Sequence, residues 1–131
     1  MKHIHVAVGV IYKDCKFFLT KRHEHAHQGG KWEFPGGKVE AQESVHQALH
    51  RELQEEVDID VLAVKPMIDV THDYGDKQVR LEVFLVDQFV GEPNALEGQQ
   101  QGWFSFSEIL TLDFPAANLA IIDKLRTMEL A

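Results

Sequence analysis

Residues 51 to 59, "RELQEEVDI", place Glu52, Glu55, Glu56 and Asp58 within one short stretch. Carboxylates at that density can dress a solvated surface, move protons, or hold a hard cation. The choice turns on which face they occupy. Ser44 followed by Gln47 reads as a capping box, and no Gly or Pro interrupts Val45 to Val57, so the spacing predicts a helix of about three turns. At about 100° per residue, Val45, Ala48, Leu49, Leu53 and Val57 share the side that should meet a core. Glu52 and Glu56 fall in the middle of that stripe, and Glu55 lies on its border. Gln47, His50, Arg51 and Gln54 already fill the opposite, solvated side. Carboxylates turned inward suffer desolvation and mutual repulsion, and a divalent cation removes both penalties. Dense oxygen ligands suit Mg²⁺ or Mn²⁺, whereas a chain with a single cysteine, Cys15, offers no thiolate set for a soft metal.

Such a helix needs a sheet beneath it. "HVAVGVIY" (5–12) and "KFFLTKR" (16–22) flank "KDC" and read as a hairpin. "WEFPGG" (32–37) reads as a strand that Pro35-Gly36-Gly37 ends abruptly. "VLAVKPMIDVTHDY" (61–74) and "QVRLEVFLVDQFV" (78–90) bracket "GDK" as a second hairpin, with Pro66 at an edge or bulge. "GWFSF" (102–106) is a short strand, and Ser107 is placed to cap a brief helical turn. After Pro115, Leu119, Ile122, Leu125 and Met128 recur at helical spacing and predict a closing helix with its apolar face on the sheet. This order predicts an α/β fold, helices packed on a mixed sheet.

Composition narrows the function classes. The chain has 131 residues, 44% hydrophobic and 26% charged, which suits one soluble globular domain spanning 1–131 and excludes disordered and fibrous classes. No apolar run reaches membrane-spanning length, and "MKHIHVAVGVIY" alternates as a strand where a signal peptide would be continuously apolar, so a cytoplasmic, non-membrane protein is expected. A net charge of −8 argues against direct nucleic-acid binding, and any phosphate substrate would need a cation to approach. "HEHAH", with His23, His25 and His27, offers alternate histidines on a loop without a closed tetrahedral set, so no native zinc site is expected.

Gly37, Glu43 and the run Arg51-Glu52-Leu53-Gln54-Glu55-Glu56, closed by Ile59, resemble the Nudix box, written G-x5-E-x7-R-E-U-x-E-E-x-G-U with U aliphatic. Every fixed letter is met but one: Asp58 stands where the family has Gly. That position should be left-handed at the helix end, which Asp tolerates at a cost of about 1 kcal/mol. "AVGVI", "EFPGGK", "LVDQFVGEP", "EGQ", "GWFSF" and "DFPAAN" are similar to the corresponding stretches of Nudix enzymes that hydrolyse oxidised guanine nucleotides. The resemblance implies the Nudix α/β/α sandwich with a mixed β-sheet between helices. It also implies a Mg²⁺-dependent enzyme, with Mn²⁺ as a substitute, that cuts 8-oxo-dGTP to the monophosphate and pyrophosphate and so sanitises the nucleotide pool.

By the same resemblance, Glu56 and the Gly36 carbonyl ligate Mg²⁺, Glu52 and Glu55 line that site, and Glu97 closes it. Glu52 is the expected base for the attacking water, with Glu43 as the alternative, while Arg51 holds the carboxylates in place. Substrate contacts are expected from Arg22, His27, Glu33, Phe34, Pro35, Gly36, Lys77 and Asn118. Asn118 offers a donor and an acceptor to a base edge, although an asparagine near Pro115 can also serve as a helix cap. The box specifies chemistry and leaves the base open. CTP, a modified pyrimidine triphosphate or dihydroneopterin triphosphate therefore remain alternative substrates for the expected monomer, and a non-catalytic nucleotide-binding module is the alternative of another class.

Overall fold

The computed structural model describes residues 2–26 and 29–130. In chain order the elements are β1 (Lys2–Lys13), β2 (Lys16–Lys21), β3 (Trp32–Glu33), β4 (Gly36–Lys38), α1 (Val45–Val57), β5 (Asp60–Asp73), β6 (Lys77–Val90), β7 (Gln101–Phe104), α2 (Phe106–Ile109) and α3 (Ala116–Thr127). Alternation along β1 decides the layering. Ala7 and Ile11 face one side and pack with Phe18, Phe84 and Val86 beneath Leu49, Leu53 and Val57 of α1. Val8, Val10 and Tyr12 face the other side and pack with Leu19 and Leu85 beneath Ile121, Ile122 and Leu125 of α3. Helices thus cover both faces of one sheet, the expected α/β/α sandwich.

The strand order is β3-β2-β1-β6-β5, with β4 also on β1 and β7 also on β2. β1 and β6 run parallel from Lys2↔Lys77 to Ile11↔Val86, and the other pairings are antiparallel, so the sheet is mixed. Pro66 lies on the edge strand β5 at a register shift between Pro66 and Ile68, as its missing N–H requires. Among the described residues no helix is long and apolar enough to cross a membrane.

Helix α1 begins and ends as its sequence dictates. Ser44 Oγ accepts the Gln47 N–H at 3.1 Å, and Gln47 Oε1 accepts the Ser44 N–H at 2.9 Å. At the other end Asp58 is left-handed (φ 60°, ψ 40°) and its N–H reaches the Gln54 carbonyl at 3.2 Å.

Four local expectations are corrected. The chain does not stop at Pro35: Gly36–Lys38 form β4 against Val6–Val8 of β1, because side-chain-free residues let two backbones approach closely. The first hairpin turns on Asp14 and Cys15 alone, at φ 53° and 63°, the left-handed pair of a two-residue loop. Ser105, not Ser107, caps α2, exchanging hydrogen bonds with Glu108 at 3.3 and 2.8 Å. Leu119 is 52% exposed, and the buried face of α3 is Ala117, Ile121, Ile122 and Leu125. A strict three-residue spacing drifts about 60° per step around a helix, so Leu119 and Leu125 cannot share a face.

Candidate active site

The glycines of β4 determine how closely α1 meets the sheet. A Cβ on Gly36 would stand 2.1 Å from the Ala7 carbonyl oxygen, and a Cβ on Gly37 would stand 2.1 Å from Cδ of Glu52. The bare backbone therefore receives the Glu52 carboxylate, and the Gly36 N–H donates to Glu56 Oε2 at 3.3 Å. Glu97 arrives by a different route. The last turn of α1 leaves carbonyls without helical partners, and those of Glu56 and Val57 accept the N–H groups of Leu96 and Asn94 at 2.9 Å each. The loop carrying Glu97 is so fastened to the helix end.

Arg51 organises the outer carboxylates. It donates from Nε and Nη2 to both oxygens of Glu43 (2.7 and 2.9 Å), from Nη1 to Glu52 (2.8 Å) and Glu55 (3.3 Å), and from Nη2 to the Lys38 carbonyl (3.1 Å). The Arg51 hydrogen bonds, helped by the Glu40 N–H, hold Glu43 down to about 2. Glu43 is thereby committed as a carboxylate partner of Arg51, whose own proton is held correspondingly tighter.

Glu33, Glu52, Glu56 and Glu97 line one recess of about 240 Å³ together with Lys21, Arg22 and His23. Glu56 is only 6% exposed, and burial, reinforced by Glu33, Glu97 and Glu52, pushes its carboxyl up to about 8 against the opposing Gly36 N–H. Gln99 lines the same recess, and its Oε1 is shielded from solvent without a donor among the described residues. Crowded acceptors and a buried acid that resists ionisation are what a divalent cation and its water shell would satisfy, so the donor set fits such an ion. Among the described residues no three His, Cys, Asp or Glu side chains converge on one point.

A second cavity, of about 230 Å³, adjoins the first and shares Arg22, Glu33 and Gly36 with it. Its floor is apolar, with Val6, Val8 and Leu81 beside Phe34, which is 3% exposed and stacked on Phe114 at 5.6 Å. Lys77 and Asn118 stand in its lining, and Arg22 is paired with Glu33 at the border between the cavities. Burial dominates at Glu33 and raises its pKa despite the Arg22 charge. An apolar slot with an amide and charged groups around it suits a planar heterocycle, and the acidic recess next door suits that molecule's phosphates once a cation is present.

Comparison with known proteins identifies the family. The model of the NUDIX domain family matches residues 6–124. The chain belongs to the Nudix family. The 8-oxo-dGTP diphosphatase of Escherichia coli K12 is 39% identical over 129 residues, 98% of this chain and 100% of that protein. The CTP pyrophosphohydrolase of the same organism is 33% identical over 131 residues, 100% of this chain and 97% of that protein. A solved structure of MutT, from work on the Aliivibrio salmonicida and Vibrio cholerae proteins, superimposes with a TM-score of 0.82 at 39% identity, covering 95% of this chain and 97% of that one.

The Nudix-box residues do not all meet at one point. Glu52, Glu56 and Gly36 line the recess with Glu97, whereas the Glu55 side chain is 61% exposed beside Arg51, and Glu43 sits behind that arginine. Of the expected substrate contacts, Arg22, Glu33, Phe34, Gly36, Lys77 and Asn118 line the second cavity. Pro35 is buried outside its lining, with its carbonyl accepting the Gly9 N–H at 2.8 Å, and His27 lies outside the described residues. Sequence reasoning passed over Lys21, Gln99 and Tyr74. Gln99 sat in the quoted "EGQ", but nothing in its neighbours marked its oxygen as unpartnered.

Proposed function

We propose that this protein is a nucleoside triphosphate pyrophosphohydrolase that cuts 8-oxo-dGTP, and related oxidised purine triphosphates, into the monophosphate and pyrophosphate with Mg²⁺, Mn²⁺ substituting. One observation carries the reading: an acidic recess and an apolar cavity adjoin and share Arg22, Glu33 and Gly36, so one molecule can place its base in one and its phosphates in the other. Glu56, Glu55, Glu97, Glu52 and the Gly36 carbonyl would hold the cation. When bound, the ion offsets the triphosphate charge and lowers the barrier to attack at phosphorus. Glu52, seated against Gly37, takes the proton of the attacking water as the phosphorus–oxygen bond to pyrophosphate breaks. Arg51 keeps that carboxylate aimed while Glu43 balances its charge. Phe34 packs the base, Asn118 reads its edge, and Arg22, Glu33, Lys77 and His27 complete the substrate contacts. The 131 residues act as one monomeric catalytic domain of the cytoplasm that clears the nucleotide pool.

Hydrolysis of CTP is the second reading, favoured by the CTP pyrophosphohydrolase likeness over the whole chain. One kinetic panel of 8-oxo-dGTP, dGTP and CTP with Mg²⁺, run on wild type, Glu52→Gln and Asn118→Ala, tests both readings. The expected result is 8-oxo-dGTP as best substrate, a loss of about 10²- to 10⁴-fold in kcat for Glu52→Gln, and a reduced preference over dGTP for Asn118→Ala. A near-wild-type Glu52→Gln would move the base role elsewhere, and CTP as best substrate would favour the second reading.

A further inference from the structure

The first turn of α3 carries Asn118, but its N-cap is Pro115, whose side chain makes no capping hydrogen bond. The Asn118 N–H returns to the Pro115 carbonyl at 2.9 Å. The Ala117 N–H is taken by the Tyr74 hydroxyl oxygen, also at 2.9 Å, from a residue 43 positions earlier in the chain. Tyr74 stands in the turn between β5 and β6. Its N–H donates to the Lys77 carbonyl at 2.9 Å, left-handed Gly75 follows at φ 96°, and the Gly75 N–H donates to the Asp73 carboxylate at 2.7 Å. The His72 ring packs edge-on to Tyr74 at 4.5 Å. Tyr74, Lys77, Ala117 and Asn118 all line the apolar cavity.

We infer that Tyr74 is a positioning residue for base selection: its hydroxyl caps α3 from another element and so holds the Asn118 amide over the cavity, while the same turn delivers Lys77. This inference rests on reading that cavity as the base site. An amide discriminates between base edges only when its donor and acceptor are held in register, because a misplaced pair satisfies neither edge. The backbone of this helix end has no side-chain cap of its own to supply that register. Tyr74 supplies it through one oxygen, and a phenylalanine would fill the same space without it. The acidic recess is lined from β2, β3, β4, α1 and the Glu97 loop and by no residue of α3 or of the Tyr74 turn, so the cap acts on which nucleotide is held and leaves the cleavage chemistry alone.

The test is a double-mutant comparison of Tyr74→Phe and Asn118→Ala, assayed with 8-oxo-dGTP and dGTP under Mg²⁺. Tyr74→Phe alone should raise KM for 8-oxo-dGTP about three- to tenfold, the worth of one hydrogen bond, with kcat held within about twofold. In the Asn118→Ala background the same change should alter KM less than about twofold, because the group it positions is gone. An unchanged KM for Tyr74→Phe would overturn the inference. So would equal effects with and without Asn118, or a parallel fall of kcat for both nucleotides, which marks general loosening of the fold. If Asn118→Ala by itself leaves the preference for 8-oxo-dGTP over dGTP unaltered, the base-site reading fails first, and the role of Tyr74 fails with it.

Discussion

Substituting Gly37 by alanine separates catalysis from folding. A methyl group there would stand 2.1 Å from Cδ and 2.2 and 2.6 Å from the oxygens of Glu52, where ordinary contact begins at 3.4 Å. The carboxylate must retreat by about 1.3 Å, and it can, because it is the end of a flexible side chain. Retreat breaks the 2.8 Å contact with Arg51, a partly exposed pair worth about 0.5 kcal/mol, while alanine for glycine returns about as much by restricting the unfolded chain. Net stability should change by less than about 1 kcal/mol. A base displaced by more than an ångström should lower kcat about 10²-fold or more. Gly36→Ala is the contrasting case. Its methyl would meet the Ala7 carbonyl oxygen at 2.1 Å and Val8 Cα at 2.9 Å, both backbone, so β4 must separate from β1 at a cost of about 3 kcal/mol. Thermal melts and Mg²⁺-dependent pyrophosphate release, measured on both variants, distinguish the two effects. A Gly37→Ala enzyme with wild-type kcat, or a Gly36→Ala protein that melts with wild type, would refute the reasoning.

The buried acid and the helix end give two further expectations. Glu56 sits at about 8 in place of 4.5, so the fold keeps its proton where the unfolded chain releases it. That contribution is complete below about pH 4.5 and is lost as pH rises toward 8, so the metal-free melting temperature should fall across pH 5 to 8. Saturating Mg²⁺ should flatten that slope, and equal slopes with and without the ion would contradict the assignment of Glu56 as a ligand. Glu43, held down to about 2, loses its contribution only as pH falls from about 4.5 toward 2 and does not confuse this window. Asp58→Gly should raise the melting temperature by about 3 °C, since glycine enters the left-handed state (φ 60°) without the Cβ penalty, and should leave kcat unchanged. A lower melting temperature would mean that the Asp58 side chain contributes more than its conformation costs.

What the chain discloses before folding is mostly what depends on neighbours in sequence. The capping box at Ser44, the phase that turns Glu56 inward and the left-handed Asp58 are all properties of one helix, and each was legible. β4 was not, because Pro35-Gly36-Gly37 looks like a terminator until β1, some thirty residues earlier, lies close enough to need glycines. The cap of α2 is different, because Ser105 with Glu108 three residues on has the capping-box spacing, a local signal that favours Ser105 over Ser107. In the candidate site, carboxylates announce themselves by type and spacing. Tyr74 and Gln99 do not: an ordinary strand-end tyrosine and a loop glutamine acquire meaning only through an N–H 43 positions away or an oxygen without a donor among the described residues.

The parallel pairing of β1 with β6 also has a consequence for how the molecule is made. β1 is the first strand in the chain, yet it lies at the centre of the sheet and pairs along ten registers with residues 77 to 86. During synthesis its edge emerges long before β6 exists to bond it, and α1 has no complete sheet surface to dock on until that partner arrives. Contacts so distant in sequence make closure slow relative to local helix formation, by the loop entropy that must be overcome first. The glutamates of α1 can therefore be helical early, but the recess they line is completed only after most of the chain has been made.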